Sequence, residues 1–177
     1  MDDAEAVALV LAGDRSGAAY LIEQYQMDVY NASLRILANP ADAEDVTQDT
    51  FLAAFQRMST YRPGQPLSPW LRAIARHRAI DLVRRRARTP EPSLPPAAES
   101  VEKIALERIE AARVRAALNG LSSRDRALLV LRYWEDQPVE SVAGSLGMSE
   151  GAARVALLRA RRALGALLVQ EETGVEV

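Results

Sequence analysis

Hydrophobic positions along this chain recur at helical spacing, and no stretch alternates β-branched and polar residues over the length of a strand. The pattern predicts helices over residues 4–12 and 17–37, a break at Ala38-Asn39-Pro40, and a third helix over residues 41–58 capped by Asn39 or Asp42. On that third helix Phe51, Phe55 and Met58 stand at i, i+4 and i+7, so they share a face that belongs in the core. Asp45, Gln48, Asp49, Leu52 and Gln56 share another face, polar and acidic with one leucine. Such a face is either solvated or a docking surface for a basic partner. Residues 61–69, YRPGQPLSP, read as a Pro- and Gly-rich loop. Ser68 is placed to cap the next helix, and Pro69 fits its first turn, where a missing N–H costs nothing. Leu71, Ile74, Ala75 and Leu82 form an inward stripe on this helix, with Arg72, Arg76 and Arg86 near Val83 on a cationic one.

Residues 87–100, ARTPEPSLPPAAES, hold four of the nine prolines and can neither continue a helix nor pair well in a sheet. They read as an extended, partly polyproline linker. Beyond it a helix is expected over residues 102–118, ended by Asn119-Gly120, then one over 125–134 capped by Ser122 or Ser123. Leu128, Leu129, Leu131 and Trp134 would supply the apolar side of the latter. Residues 139–158, VESVAGSLGMSEGAARVALL, have the spacing of a helix-turn-helix. Ala143 and Ala153 stand where two helices cross closely, and Gly147 stands in the turn, where a positive φ is wanted. Ser149 would cap the second helix and Glu150 favour its first turn. Short apolar helices separated by glycine also occur in ordinary bundles. Arg154, Arg159, Arg161 and Arg162 tip the balance, because a major-groove helix needs cations for phosphates and donors for base edges. The predicted fold is therefore all-α: two small helical domains joined by a Pro-rich linker, the second a helix-turn-helix domain. The boundaries expected are 1–88, a linker over 89–103, 104–170, and an acidic tail over 171–177, with no further domain after it.

Composition narrows the chemistry. With 49% hydrophobic and 26% charged residues, the 177-residue chain can bury a core and remain soluble. No apolar run reaches the ~18 residues that span a bilayer, so no membrane insertion is expected. The first residues carry acids where a signal peptide carries Lys or Arg, so a cytoplasmic protein is expected. Without cysteine, and with a single histidine, disulfides, thiol catalysis, metal sites and Ser-His-Asp triads have little to build on. No catalytic residue, metal or cofactor is expected, and no small-molecule substrate.

The formal charge of -2 hides a strong segregation. Residues 1–60 hold ten acids and three arginines, whereas residues 61–88 hold eight arginines and one acid. Residues 149–164 hold four arginines and one acid. Two separated basic blocks suggest two anionic contacts, although an arginine-rich helix can also be simply solvated. On these residues a self-sufficient DNA-binding repressor or activator, or a helical adaptor for another protein, stays open.

Three segments, in order and with a linker between the second and third, carry a resemblance. DAEDVTQDTFLAAF (42–55), SPWLRAIARHRAIDLVRRRAR (68–88) and LSSRDRALLVLRYWEDQPVESVAGSLGMSEGAARVALLRARRAL (121–164) resemble the extracytoplasmic-function group of bacterial sigma factors. The resemblance implies a subunit that directs RNA polymerase core to promoters. It assigns Asp45, Gln48, Asp49 and Leu52 to core binding, on a coiled coil of the β′ subunit, with the β subunit as a further contact. It assigns Tyr61, Arg62, Trp70, Arg72, Arg76 and His77 to recognising and melting the −10 element. Trp70 is expected to be largely core, and Tyr61 is the better stacking partner for a base. Ser149, Glu150, Gly151, Arg154, Val155, Leu158, Arg159 and Arg162 are assigned to the −35 element. Promoter DNA, polymerase core and an anti-sigma factor are the implied partners. Two departures stand out: Ile74-Ala75-Arg76-His77 where the family usually has I-A-R-N, and Val155-Ala156 where Ser-Arg is usual. One expected phosphate contact is thus missing from the second helix, and Val155 offers an apolar contact for a thymine methyl instead.

Overall fold

Aspartate caps open the first two helices. Asp2 accepts from the amide of Glu5 before α1 (Asp3–Leu11), and Asp14 accepts from that of Ser16 before α2 (Arg15–Leu37), each at 2.8 Å. A computed structural model of the chain describes residues 1–88 and 106–173. The whole linker expected over 89–103, the start of the helix expected from 102, and the last four residues of the acidic tail lie outside the described residues. The chain divides into two compact units, Met1–Asp81 and Leu82–Val177. The described residues form helices, turns and loops, with no strand among them.

In the first unit, α1 meets α2 at Gly17. A Cβ there would lie 2.4 Å from the Ala6 carbonyl oxygen and 2.8 Å from the Leu9 Cβ, so glycine is what lets the two backbones approach. The Tyr25 hydroxyl donates to the Asp3 carboxylate and ties the same pair of helices again. Burial, then that carboxylate, pushes the Tyr25 phenol well above its usual range. α2 ends on Ala38 in the left-handed region at φ 51°, Asn39 caps α3 (Pro40–Gln56) by accepting from Asp42, and Pro40 opens the new helix. The break expected at Ala38-Asn39-Pro40 is thus a tight corner. Leu21, Val29, Phe51, Met58, Leu67 and Leu71 make the core of this unit, and each fully buried side chain of that size contributes about 1.5–3 kcal/mol. Two buried hydroxyls on these helices, Ser33 and Thr50, are satisfied by the carbonyls of Val29 and Val46.

Three expectations shift here. α3 stops at Gln56, and Met58 is buried from a short 3₁₀ turn, Met58–Thr60, while Phe55 is half-buried. α4 (Leu67–Arg88) begins one residue before Ser68, so Ser68 is inside the first turn and is not its cap. Its hydroxyl instead donates to the Asp28 carboxylate of α2. Leu71, Ala75, Ala79 and Ile80 are the buried stripe, with Ile74 and Leu82 only half-buried and Val83 buried.

The second unit holds α5 (Leu106–Asn119), α6 (Ser123–Leu129), α7 (Val139–Leu146) and α8 (Glu150–Thr173). Ser122 caps α6, accepting from Asp125 at 3.1 Å. α6 runs into a π-helical turn, Val130–Trp134. Because that turn bonds i to i+5, it carries the last residues out of the helical stripe. Leu128, Leu129 and Leu131 are buried as expected, but Trp134 is 61% exposed and does not supply the apolar side. Arg126 is 4% exposed, and its Nη1 donates to the carbonyls of Leu118 and Asn119 at 3.2 Å and of Leu121 at 3.4 Å. It thereby closes the C-terminal end of α5, whose last carbonyls have no partners within the helix. Burial lowers its pKa to about 10, so it stays protonated at neutral pH.

Arg126→Met should keep the apolar volume and leave those carbonyls buried without a charged donor. We expect a loss of about 1–3 kcal/mol, read as a lower denaturant midpoint; an unchanged midpoint would show that the α5 end is held by other contacts.

Candidate nucleic-acid interface

The helix-turn-helix assembles as its spacing demands. Gly147 ends α7 at φ 64°, where a side chain on an L-residue is disfavoured. Ser149 caps α8, its hydroxyl accepting from the Ala152 amide at 3.2 Å. Ala143 and Ala153 are 3% and 0% exposed, as small residues at a close helix crossing should be. Leu157 and Ala160 continue the buried stripe of α8. Gly151, Arg154, Val155, Leu158, Arg159 and Arg162 are all exposed, and their spacing of three and four residues puts them on one face. Ser149 and Glu150 are exposed at its N-terminal end. Val155 and Leu158 give the face an apolar middle, 50% and 48% exposed, between arginines. Glu150 pairs with Arg154 one turn on, accepting from Nε at 3.2 Å and also from Nη2. The result is an exposed helix carrying guanidinium donors, a carboxylate and two aliphatic side chains, which is the chemistry that base edges and phosphates require.

The loop and the start of α4 hold the other basic segment. Tyr61 and Trp70 pack against each other with ring centroids 5.5 Å apart and planes at 59°. Both are half-buried against the core, so Trp70 is less enclosed than expected and Tyr61 more so. The Tyr61 hydroxyl donates to the Gln65 carbonyl, bracing the loop across its tip, and burial raises its pKa above the usual value. Arg62 and His77 are exposed, and Arg72 and Arg76 are partly so. The His77 Nδ1 lies 2.6 Å from the Ala73 carbonyl. A carbonyl only accepts, so Nδ1 carries the proton and Nε2 is the ring nitrogen turned to other partners.

Asp45, Gln48, Asp49 and Leu52 are exposed on one side of α3, and Leu52 is 61% so. They border a groove between α2 and α3 lined by Ile22, Gln26, Thr47, Gln48, Phe51, Leu52 and Phe55. Sequence reasoning did not single out Ile22 or Gln26, since nothing local marks one exposed isoleucine on α2 as facing Leu52. Nor did it single out Asp28, whose carboxylate meets both Ser68 and Arg72 of α4. Among the described residues no group of His, Cys, Asp or Glu could hold a metal, and no helix is long and apolar enough to cross a membrane.

Comparison with known proteins places both segments. The Sigma-70 region 2 profile matches residues 21–89, and the Sigma-70 region 4 profile matches residues 111–164. The ECF RNA polymerase sigma factor SigE of Mycolicibacterium smegmatis is 33% identical over 151 residues, covering 81% of this chain and 58% of that protein. The chain thus spans little more than half of that relative. SigL of Mycobacterium tuberculosis, also an ECF RNA polymerase sigma factor, is 32% identical over 168 residues, covering 88% of this chain and 89% of the relative. Among solved structures, CnrH in complex with the cytosolic domain of CnrY is similar with a TM-score of 0.50 and 26% identity, covering 95% of this chain and 97% of that one. With a relative matched at this level over almost the full length of both proteins, and with both regions in order, the chain belongs to the extracytoplasmic-function family of RNA polymerase sigma factors.

Proposed function

We propose that the protein binds RNA polymerase core and directs it to promoters by recognising a −10 and a −35 element, acting as an initiation factor in the cytoplasm and not as an enzyme. The observation that carries this is the exposed stripe of Arg154, Val155, Leu158, Arg159 and Arg162 on the second helix of a helix-turn-helix, in a chain that also bears an acidic, leucine-centred face on α3. A stand-alone DNA-binding protein leaves the second feature unexplained. On α3, Asp45 and Asp49 would meet basic side chains of the β′ coiled coil while Leu52 enters an apolar contact beside Gln48, and the β subunit would hold the other unit.

At the −10 element the cost is unstacking, a few kcal/mol per extruded base. A braced Tyr61–Trp70 pair offers an aromatic edge against which an extruded base can be held. Arg62, Arg72 and Arg76 would take backbone phosphates, a salt-dependent and sequence-blind contribution. With Nδ1 on the Ala73 carbonyl, the His77 Nε2 can accept a hydrogen bond from a base amino group as an asparagine carbonyl can, but it lacks the amide donor that the asparagine usual in the family would add. At the −35 element Arg154 and Arg159 supply donors and Val155 a methyl-facing contact, with Ser149, Glu150 and Gly151 lining the entry of the helix and Arg162 reaching phosphate at its far end. CnrH was solved with the cytosolic domain of another protein, which supports a masking partner, an anti-sigma factor, for this chain as well.

The test is DNA binding with and without polymerase core. The protein alone should bind promoter DNA only weakly, and promoter-specific initiation should arise when core is added. Tight operator binding without core would instead identify a repressor or activator. Arg154→Ala should weaken initiation that depends on the −35 element. A base contact predicts losses of about 1–3 kcal/mol confined to some sequences, and a phosphate contact predicts a uniform loss with the salt slope lower by about one. Unchanged initiation on every promoter would exclude both. Replacing Asp45 and Asp49 together with alanine should weaken core capture several-fold while circular dichroism stays the same; normal retention of β′ on the variant would contradict the assigned face.

A further inference from the structure

Asp28 lies near the middle of α2, within the residues matched by the region 2 profile but outside the three segments that carry the family resemblance, and it makes a polar link between α2 and the start of α4. One oxygen, Oδ2, accepts from the Ser68 hydroxyl and stands 3.7 Å from the Nε of Arg72. Ser68 and Arg72 are one turn apart on α4, so a single carboxylate addresses two successive turns. The side chains of Asp28 and Arg72 remain 36% and 42% exposed. An ion pair this open adds little to stability, which leaves its effect on side-chain placement as the more consequential one.

Placement matters because of which nitrogen is engaged. Asp28 meets Arg72 at Nε, leaving the edge formed by the two terminal nitrogens for a second anion. The 3.7 Å contact is an ion pair and longer than a hydrogen bond, so it biases the orientation of a long side chain that must otherwise be ordered on binding. Leu67 and Leu71, buried beside these two residues in sequence, hold the same turns against the core. The loop braced by Tyr61 and Gln65 runs directly into them. Repulsion between Asp28 and a phosphate on the far side of the guanidinium is weakened by solvent and by salt, whose screening length is about 8 Å at physiological ionic strength.

We propose that Asp28 is a positioning residue for promoter opening: it fixes the first turns of α4 through Ser68 and presents the terminal nitrogens of Arg72 to a phosphate of the melting −10 strand. This rests on the proposed function of the segment 61–77. It names α2, which no motif assigns to DNA, as the element that orients a DNA contact.

The test compares holoenzymes carrying Asp28→Asn, Asp28→Ala, Arg72→Ala and Asp28→Ala with Arg72→Ala, on duplex promoter and on the same promoter already mismatched through the −10 element. Asp28→Ala should slow open-complex formation on duplex DNA about fivefold to tenfold, the order expected when one long side chain loses its ordering. Asp28→Asn keeps an acceptor for Ser68 and should fall between Asp28→Ala and the unaltered protein. In the Arg72→Ala background the Asp28 substitution should add less than about twofold, since non-additivity is the mark of residues acting as a pair. The pre-mismatched template should rescue most of the loss. Additive losses, equal losses on both templates, faster opening after Asp28→Ala, or no change from any Asp28 variant would each overturn the proposal. The unaltered protein is the control for the underlying function: if it yields no promoter-dependent opening with core, the sigma-factor function itself fails, whereas normal opening with unaffected Asp28 variants sinks only the role of Asp28.

Discussion

The complete burial of Ala153 sets the orientation on which the DNA-facing surface depends. A methyl group at that crossing lets α8 lie close to the preceding helix, with Ala143 small on the other side. Once residues 153, 157 and 160 face inward, a helix of 3.6 residues per turn has no freedom left about its own axis. Arg154, Val155, Leu158, Arg159 and Arg162 must then face out, and they do. Gly147 and Ser149 serve the same end, the one by turning the chain at φ 64° and the other by starting α8 at a defined residue. A larger side chain at 153 would cost about 1–3 kcal/mol in overpacking, and it would rotate or lift the whole recognition face besides.

The first unit solves the same problem with different residues. Gly17 permits the close approach of α1 and α2, and Phe51, Ala54 and Met58 commit one side of α3 and the turn after it to the core. What remains outside is Asp45, Gln48, Asp49 and Leu52, beside a groove completed by Ile22 and Gln26. In each unit the buried stripe decides which chemistry is left for a partner. The segregation of charge along the chain, an acidic stretch over residues 1–60 against arginine-rich blocks over 61–88 and 149–164, becomes a segregation of surfaces for the same reason.

Features set by neighbours within a few residues were legible from sequence. The Asn39 and Ser122 caps, the left-handed Gly147 and the alternation of buried and exposed residues on α8 all depend on local hydrogen bonds or on helical period. Features set by distant partners were not. Ser68 reads as a cap because Pro69 and a helical pattern come directly after it, but its hydroxyl goes to Asp28, forty residues earlier. Arg126 sits among Ser123, Arg124 and Asp125 and reads as surface, yet two carbonyls at the end of α5 and that of Leu121 just beyond it draw it inside. Trp134 reads as core by a 3.6-residue count that the π turn at Val130–Trp134 breaks. The candidate −35 face was therefore visible in full, whereas the −10 segment showed its residue types and not its packing, since Tyr61 and Trp70 settle against each other across a loop.

The central claim is that two separate surfaces, one on each unit, work together through polymerase core. Run-off transcription by core plus this protein over a library with randomised upstream sequence measures that directly. Two short elements at one preferred spacing should be enriched, and only when the protein and core are both present. Enrichment of a single element, or transcripts whose start sites are indifferent to the upstream sequence, would contradict it.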